Sequence, residues 1–266
     1  MALGTSLAGV KHKAVIEWNR WACNTIRENQ HLKHPLVVDW SLYEGDVRKY
    51  DFNDIKQVDL VTGGPPCQPF SLGGKHKGFD DQRDMFPTAI NVIRKLKPKA
   101  FLIENVKGLT RGAFANYLQY TLLQLSYPEI LKKPNESWIE HLARLEKEKI
   151  SGNFSNLFYK VIYRVVNAAD YGVQQRRERL FIVGFRNDLD ISWCFPKATH
   201  SLDALLCDQW ISGIYWEKHK ITEKNKSRLD AKHYQRVEKL CNICRDTLSM
   251  PWATVRDAFY WFASTI

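Results

Sequence analysis

Three features of this sequence have the side-chain types that covalent chemistry asks for: a thiol, a carboxyl and an arginine cluster, each at the border of an apolar run. Cys67 sits in Gly63-Gly64-Pro65-Pro66-Cys67-Gln68-Pro69-Phe70-Ser71, directly after Val58-Asp59-Leu60-Val61-Thr62. Proline fixes φ and glycine permits close approach, so the thiol is presented on a stiff turn beyond a strand, not within its apolar body. Glu104 closes the run Ala100-Phe101-Leu102-Ile103 and is followed by Asn105-Val106. The arginines lie in Gln174-Gln175-Arg176-Arg177-Glu178-Arg179, just before Leu180-Phe181-Ile182-Val183. A thiolate can carry a covalent intermediate. A carboxyl in a dry pocket can keep its proton near neutral pH and donate it. Arg177 and Arg179 alternate on an extended segment and share one face, while Arg176 points the other way and suits a surface or phosphate contact. An isolated cysteine is often just a small hydrophobe. A cysteine hydrolase is disfavoured because no histidine falls near a strand end to partner the thiol.

Such groups need a scaffold that places strand ends together, and ligands of open α/β sheets bind beyond the carboxyl ends of strands. Apolar runs bounded by Gly, Pro and charge predict strands at 14–17, 58–62, 100–104, 159–166 and 180–185. Between Met85 and Lys97, the residues Met85, Ile90, Ile93 and Leu96 fall near one helical face, and Pro98 stops the helix. Alternating strands and helices argue for α/β class with a largely parallel, two-side-covered sheet. The last two strands are joined by a polar loop too short for a parallel crossover, so they pair antiparallel or lie apart. Residues 126–156 read as an insertion, in which Ser137-Trp138-Ile139-Glu140 is a capping box. Leu142 and Leu145 among balanced charges there predict a surface helix. The expected division is 1–200 for the main domain and 201–266 for a basic, aromatic helical extension.

The chain has 266 residues, 39 Lys+Arg against 29 Asp+Glu, and a formal charge of +10, which favours a polyanionic partner. No run approaches the roughly 20 apolar residues of a membrane span, and no signal-peptide pattern opens the chain, so a cytoplasmic location is expected. The six cysteines are then expected to stay reduced. Cys241-x-x-Cys244 with His233 nearby is at most half a zinc site. Its i, i+3 spacing is read as a packed helix face, and no metal is expected. The stretch 216–236 carries Lys218, Lys220, Lys224, Lys226, Arg228, Lys232 and Arg236, flanked by Trp210, Tyr215, Trp216 and Tyr234. Basic residues mixed with aromatics suit phosphate contact, although a solvated helix explains them equally.

In chain order, Pro66-Cys67-Gln68, Glu104-Asn105-Val106 and Gln175-x-Arg177-x-Arg179 resemble the motifs of the cytosine-C5 DNA methyltransferase family, with likeness running over 3–257. The resemblance implies a Rossmann-like fold that uses S-adenosyl-L-methionine, with a mixed, mostly parallel sheet. It implies double-stranded DNA as partner, a flipped-out cytosine as substrate, and a bacterial restriction-modification system in the cytosol at the nucleoid. Thiolate addition to C6 breaks the ring's aromaticity and turns C5 into an enamine carbon able to accept a methyl group. By resemblance Cys67 is that nucleophile and Glu104 the acid at N3. Arg179 holds the base near O2 and Arg177 orients the thiol loop. Gln68, Ser71, Asn105 and Gln175 lie on the substrate side, with Asn105 tying the loop together. For the cofactor, Glu17 matches the acid on the ribose hydroxyls, Trp18 the ring on adenine and Asp46 the acid reading its amino group, with Pro66 alongside.

The sequence departs from the family at both ends. The family opens with a central strand and a Phe-x-Gly-x-Gly loop, whereas Met1-Ala2-Leu3-Gly4-Thr5-Ser6-Leu7 resembles the helix after that loop. Loss of a central strand is expected to leave apolar edges on both sides. Ala253-Thr254-Val255-Arg256-Asp257-Ala258 resembles the segment before the target-recognition domain. The expectation is therefore a truncated product or one subunit of a split enzyme, with a second subunit carrying that domain. Two alternatives stay open: a tRNA cytosine-C5 methyltransferase, and a non-catalytic subunit.

Overall fold

The computed structural model describes residues 1–66, 84–152, 157–243 and 245–263. In chain order they form α1 (Ala2–Leu7), β1 (Val15–Glu17), α2 (Arg20–His31), β2 (Leu42–Glu44), β3 (Leu60–Gly63), α3 (Phe86–Leu96), β4 (Ala100–Val106), α4 (Ala115–Ser126) and α5 (Trp138–Ser151). There follow β5 (Tyr159–Asn167), β6 (Glu178–Arg186), β7 (His200–Ser201), α6 (Leu202–Trp210), α7 (Ile214–Lys218), α8 (Ala231–Leu240), β8 (Met250–Pro251) and α9 (Val255–Ala263). They divide into two compact units, residues 1–164 with 180–192, and residues 165–179 with 193–266. No described helix is long and apolar enough to cross a membrane.

The first unit is α/β. Its sheet runs in the order β3-β4-β6-β5, and β1-β2 form a separate parallel pair. β3 and β4 are parallel, with Leu60 opposite Ala100 and Gly63 opposite Ile103. β5 and β6 are antiparallel, because Asn187 N–H bonds Phe158 C=O at one end and Ala168 N–H bonds Arg177 C=O at the other. The short polar loop between them permits nothing else. Arg186 N–H on Lys99 C=O sets the end of β6 beside the start of β4, so the sheet is mixed. Phe101 and Ile103 are buried on one face of β4, Leu180 and Ile182 are buried along β6, and the Phe101 ring lies against Gly184 of β6. The rings of Phe101 and Tyr159 stand 5.2 Å apart, and the Tyr159 hydroxyl donates to Pro98 C=O at 2.8 Å.

β1 and β3 each end a sheet, and every residue in both strands is half-buried. Lys13, two residues before β1, donates from Nζ to the carbonyls of Lys56 and Gln57 ahead of β3. One lysine thus braces the openings of both edge strands.

α3 forms with Phe86, Ile90, Val92 and Ile93 buried, and ends at Lys97 in the left-handed region before Pro98. The capping box is present on α5: Ser137 Oγ accepts Glu140 N–H and Glu140 Oε2 accepts Ser137 N–H. The helix is more than a surface helix, however. Leu145 packs with Tyr120, Leu123 and Tyr127, and His141 is buried between them. His141 Nε2 contacts Ile130 C=O at 2.8 Å, which makes it the donor there and leaves Nδ1 to accept the Tyr120 hydroxyl at 2.7 Å. Burial lowers the His141 pKa and pushes Tyr120 up to about 12, so the pair stays neutral. The alternating charges had marked only the outward face of this helix.

The second unit packs Leu206, Cys207, Val237 and Leu240 in one cluster and Leu205, Tyr215 and Trp216 in another. Two expectations are corrected there. Tyr215 and Trp216 are buried, with Trp210 packed against them, so they build the core and offer no face to a ligand. Cys241 is exposed because α8 stops at Leu240 and its buried face is Val237 and Leu240; Cys244 lies outside the described residues. Several cations of the basic stretch are paired: Lys218 with Asp257, Lys226 with Glu223, and Arg236 with Asp203.

At Gly184 a Cβ would stand 2.2 Å from the Phe101 ring, which is fully buried and cannot retreat. Gly184→Ala should therefore destabilise the first unit by about 1–3 kcal/mol, the usual cost of overpacking. Urea unfolding checks this, and an unchanged midpoint would show that Phe101 has room to move.

Candidate active site

The parallel register of β3 and β4 brings two of the sequence features together. One step beyond the Gly63–Ile103 pair lie Gly64 and Glu104. A Cβ at position 64 would lie 3.3 Å from Glu104 Oε2, so glycine lets the backbone pass close to the carboxylate. Asn105 is buried, and its Nδ2 donates to Pro65 C=O at 3.1 Å while its Oδ1 accepts Val106 N–H at 2.8 Å. The strand end carrying Glu104 is thereby fastened to the proline turn two residues ahead of Cys67. Glu104 is half-buried and Pro66 exposed. Cys67, Gln68 and Ser71 lie outside the described residues.

A second group gathers at the ends of β1 and β2. Gly45 N–H donates to Glu17 C=O at 2.9 Å, and the buried Cys23 thiol reaches the same oxygen at 3.4 Å. This fixes the backbone of Glu17, whose Oε1 accepts Asn19 N–H at 2.7 Å. Burial, with Glu44 and Glu17 nearby, raises the Cys23 pKa, so that thiol is a packing group. Trp18 follows with 72% of its surface exposed, as an indole on a bare edge requires of any ring meant to stack on a ligand. Asp46 stands just past β2. Its carboxylate is gripped by Arg48, with Nε at 3.0 and 2.9 Å and a terminal nitrogen at 2.5 Å, and also accepts Arg48 N–H. The guanidinium hydrogen bonds hold its pKa down at about 2. Sequence reasoning missed Arg48, although a basic residue two positions after an Asp that caps a short turn is a visible signal. Gly45 was missed as well; a Cβ there would strike the Tyr43 ring at 2.6 Å.

Gln175, Arg177 and Arg179 belong to the second unit. Gln175 and Arg177 are exposed, and Arg179 is half-buried with a guanidinium nitrogen 2.8 Å from Glu178 C=O. Their loop is stapled by Asn167, another residue the sequence did not flag. Its Oδ1 accepts Arg177 N–H at 3.1 Å and Ala169 N–H at 3.3 Å. Gly172 closes the turn at φ +87°, with the His200 ring where a Cβ would sit. Asn ahead of a turn is the available signal, since its short amide bonds nearby backbone. Among the described residues no cluster of His, Cys, Asp and Glu is arranged to hold a metal.

The family model for C-5 cytosine-specific DNA methylases matches residues 1–127 and 136–249. The chain belongs to this family. It is 36% identical to the type II methyltransferase M.NgoMIV of Neisseria gonorrhoeae, over 74% of this chain and 51% of that protein. It is 35% identical to the type II methyltransferase M.AquIA of Picosynechococcus, over 75% of this chain and 72% of that one. The chain spans about half the length of M.NgoMIV. Among solved structures, the S. pombe Dnmt2 methyltransferase aligns at 20% identity and a TM-score of 0.42, over 72% of this chain and 48% of that one.

Arg48→Ala should let the Asp46 carboxyl climb from about 2 toward the ordinary aspartate value near 3.9. The sign follows from losing a cation that favours the charged form. A carboxyl-carbon NMR titration reads it, and a pKa that stayed at about 2 would assign the shift to the backbone N–H instead.

Proposed function

We propose that this chain supplies the catalytic residues of a DNA cytosine-C5 methyltransferase of a restriction-modification system. The observation that carries the proposal is the Asn105–Pro65 hydrogen bond beside Gly64 and Glu104, which couples the carboxyl of one family motif to the turn bearing the cysteine of another. In this reading the Cys67 thiolate adds to C6 of a cytosine turned out of the duplex, since attack needs access above the ring plane. Negative charge moves toward N3, where Glu104 delivers a proton. Arg179 holds O2 and Arg177 orients the thiol loop. Gln68, Ser71 and Gln175 complete the base pocket. Once C5 has taken a methyl group, a base removes the C5 proton and the thiolate leaves, restoring aromaticity.

S-adenosyl-L-methionine, when bound, supplies an electrophilic methyl group. The residues fit its adenosine half. Glu17 presents a carboxylate at a strand end with Oε1 on Asn19, leaving Oε2 for a ribose hydroxyl. Trp18 offers an exposed indole for adenine. Asp46 stays ionised and can accept an amino N–H on a lone pair that Arg48 does not use. Pro66 borders this side of the turn. Double-stranded DNA is the partner, and base-specific reading is assigned to a further segment, in the same polypeptide or in a second subunit.

Duplexes carrying 5-fluorocytosine test the nucleophile, because fluorine at C5 blocks the closing elimination. With S-adenosylmethionine and the completing segment present, a denaturation-resistant protein–DNA adduct is expected, and Cys67→Ser should abolish it. An adduct that persisted in the variant would assign the bond to another residue.

Glu104→Gln should slow methyl transfer by about 10² to 10⁴, the usual worth of a general acid, because an amide cannot protonate N3. DNA affinity should change little. Single-turnover methylation beside a binding titration separates the two, and near wild-type turnover would remove Glu104 from the mechanism.

A further inference from the structure

The loop on which Arg177 is mounted is fixed from two directions, and only one of them is local. Asn167 Oδ1 binds the N–H groups of Ala169 and Arg177 within the loop itself. Asp170 is held from outside it. Its C=O accepts Thr199 N–H at 3.0 Å, and its Oδ1 accepts the Trp252 indole N–H at 2.9 Å. Tyr171, next in the chain, donates its hydroxyl to Pro196 C=O at 2.9 Å. All of these residues belong to the second unit.

Trp252 serves as a fixed point because its own place is set by several contacts. Its N–H donates to Ser201 C=O at 3.1 Å, where β8 runs beside β7. Its ring packs against the Leu205, Tyr215 and Trp216 cluster. Two residues on, the Thr254 N–H and hydroxyl both donate to Asp257 Oδ2 at 2.7 Å, and Lys218 of α7 holds Oδ1 of the same carboxylate at 2.6 Å. The indole donor therefore projects from packed core, whereas Asp170 lies on a turn that continues into the exposed residues Val173 to Arg177. Indole nitrogen offers a single N–H and accepts nothing, so the bond to Asp170 has one possible direction.

We propose that Trp252 is a positioning residue for the reaction: through Asp170 it holds the turn from which Arg177 projects. The inference rests on the methyltransferase reading above and adds a residue to it. Neither Trp252 nor Asp170 touches the cytosine or the cofactor in this account. Ala168 N–H on Arg177 C=O and Arg177 N–H on Asn167 Oδ1 close the loop back on the same turn, so a shift at Asp170 is passed to the arginine backbone. A supporting residue locked by packing is what keeps such a group in its productive geometry. Misplacement by about 1 Å can cost about 10²-fold in rate even when its origin is far from the chemistry.

Three variants separate the donor from the acceptor. Trp252→Phe keeps a ring in the core and removes the N–H. Asp170→Ala removes the acceptor, and Asp170→Asn keeps it as an amide oxygen. The rate of adduct formation is measured on saturating 5-fluorocytosine duplex with the 266-residue chain, S-adenosylmethionine and the completing segment. Trp252→Phe and Asp170→Ala should each slow the reaction by about 10-fold, with duplex affinity unchanged, and Asp170→Asn should react at the wild-type rate. In an Arg177→Ala background, Trp252→Phe should cause no further loss, because the two act as one unit. Hydrogen exchange on the chain alone should quicken at 168–177 in Trp252→Phe and stay unchanged in α8. A wild-type rate in Trp252→Phe, an Asp170→Asn variant as slow as Asp170→Ala, additive losses in the double variant, or unchanged exchange at 168–177 would each overturn the positioning role and leave the methyltransferase reading standing. A wild-type protein that formed no adduct would instead bring down that reading, and the role of Trp252 with it.

Discussion

The parallel pairing of β3 with β4 is the constraint on which the rest of the site depends. Its register sets Gly64 beside Glu104, and the Asn105 amide then reaches across to the Pro65 carbonyl. A single hydrogen bond is worth only about 1 kcal/mol net. Here its importance is geometric. Asn105 is 3% exposed, so breaking the bond strands a buried amide, at a cost of about 1–3 kcal/mol. The alternative to the fastened turn is thus costly, and a proline-stiffened segment anchored at one point has few other paths. A Cβ at position 64 would come 3.3 Å from Glu104 Oε2, so the carboxyl would have to give by a few tenths of an ångström.

The same device recurs at the other two strand ends. Glu17 is held through its carbonyl by Gly45 N–H and the Cys23 thiol, while of its side chain only Oε1 is engaged, by Asn19 N–H. The arginine loop is held by the Asn167 amide on the backbone N–H groups of Ala169 and Arg177, which leaves the Arg177 side chain exposed. In each case a small or amide residue secures backbone while the chemical group projects. Division of labour of this kind preorganises a site without engaging its reactive atoms.

What was legible in the sequence was what is local. The apolar runs gave β1, β3, β4, β5 and β6 to within a residue or two, and Ser137 with Glu140 announced the start of α5. β2, β7 and β8 are two or three residues long, too short to show any period, and escaped notice. Burial was read poorly wherever charge masked it. The charged face of α5 hid His141 and Leu145, and lysines around Tyr215 and Trp216 suggested a ligand surface where the structure has a core. Contacts between distant segments were invisible for the same reason. Nothing in the sequence ties Trp252 to Asp170, and the expectation that Asn105 ties the loop together came from the family resemblance and did not name its partner Pro65.

The excess of positive charge carries a final consequence for how the protein would meet DNA. Several cations in the second unit are paired with carboxylates, Lys218 with Asp257 and Arg245 with Asp208 among them. Paired surface charges contribute little to stability and little to a distant polyanion. The attraction implied by a charge of +10 is therefore carried mostly by cations outside such pairs, and the exposed Arg176 has no carboxylate partner among the described residues. With DNA as the proposed partner, charge at that loop would act within a Debye length of about 8–10 Å, on nearby phosphates more than on those far along a duplex. Contacts to phosphate of that kind set affinity and orientation, whereas base identity must be read by contacts of another kind.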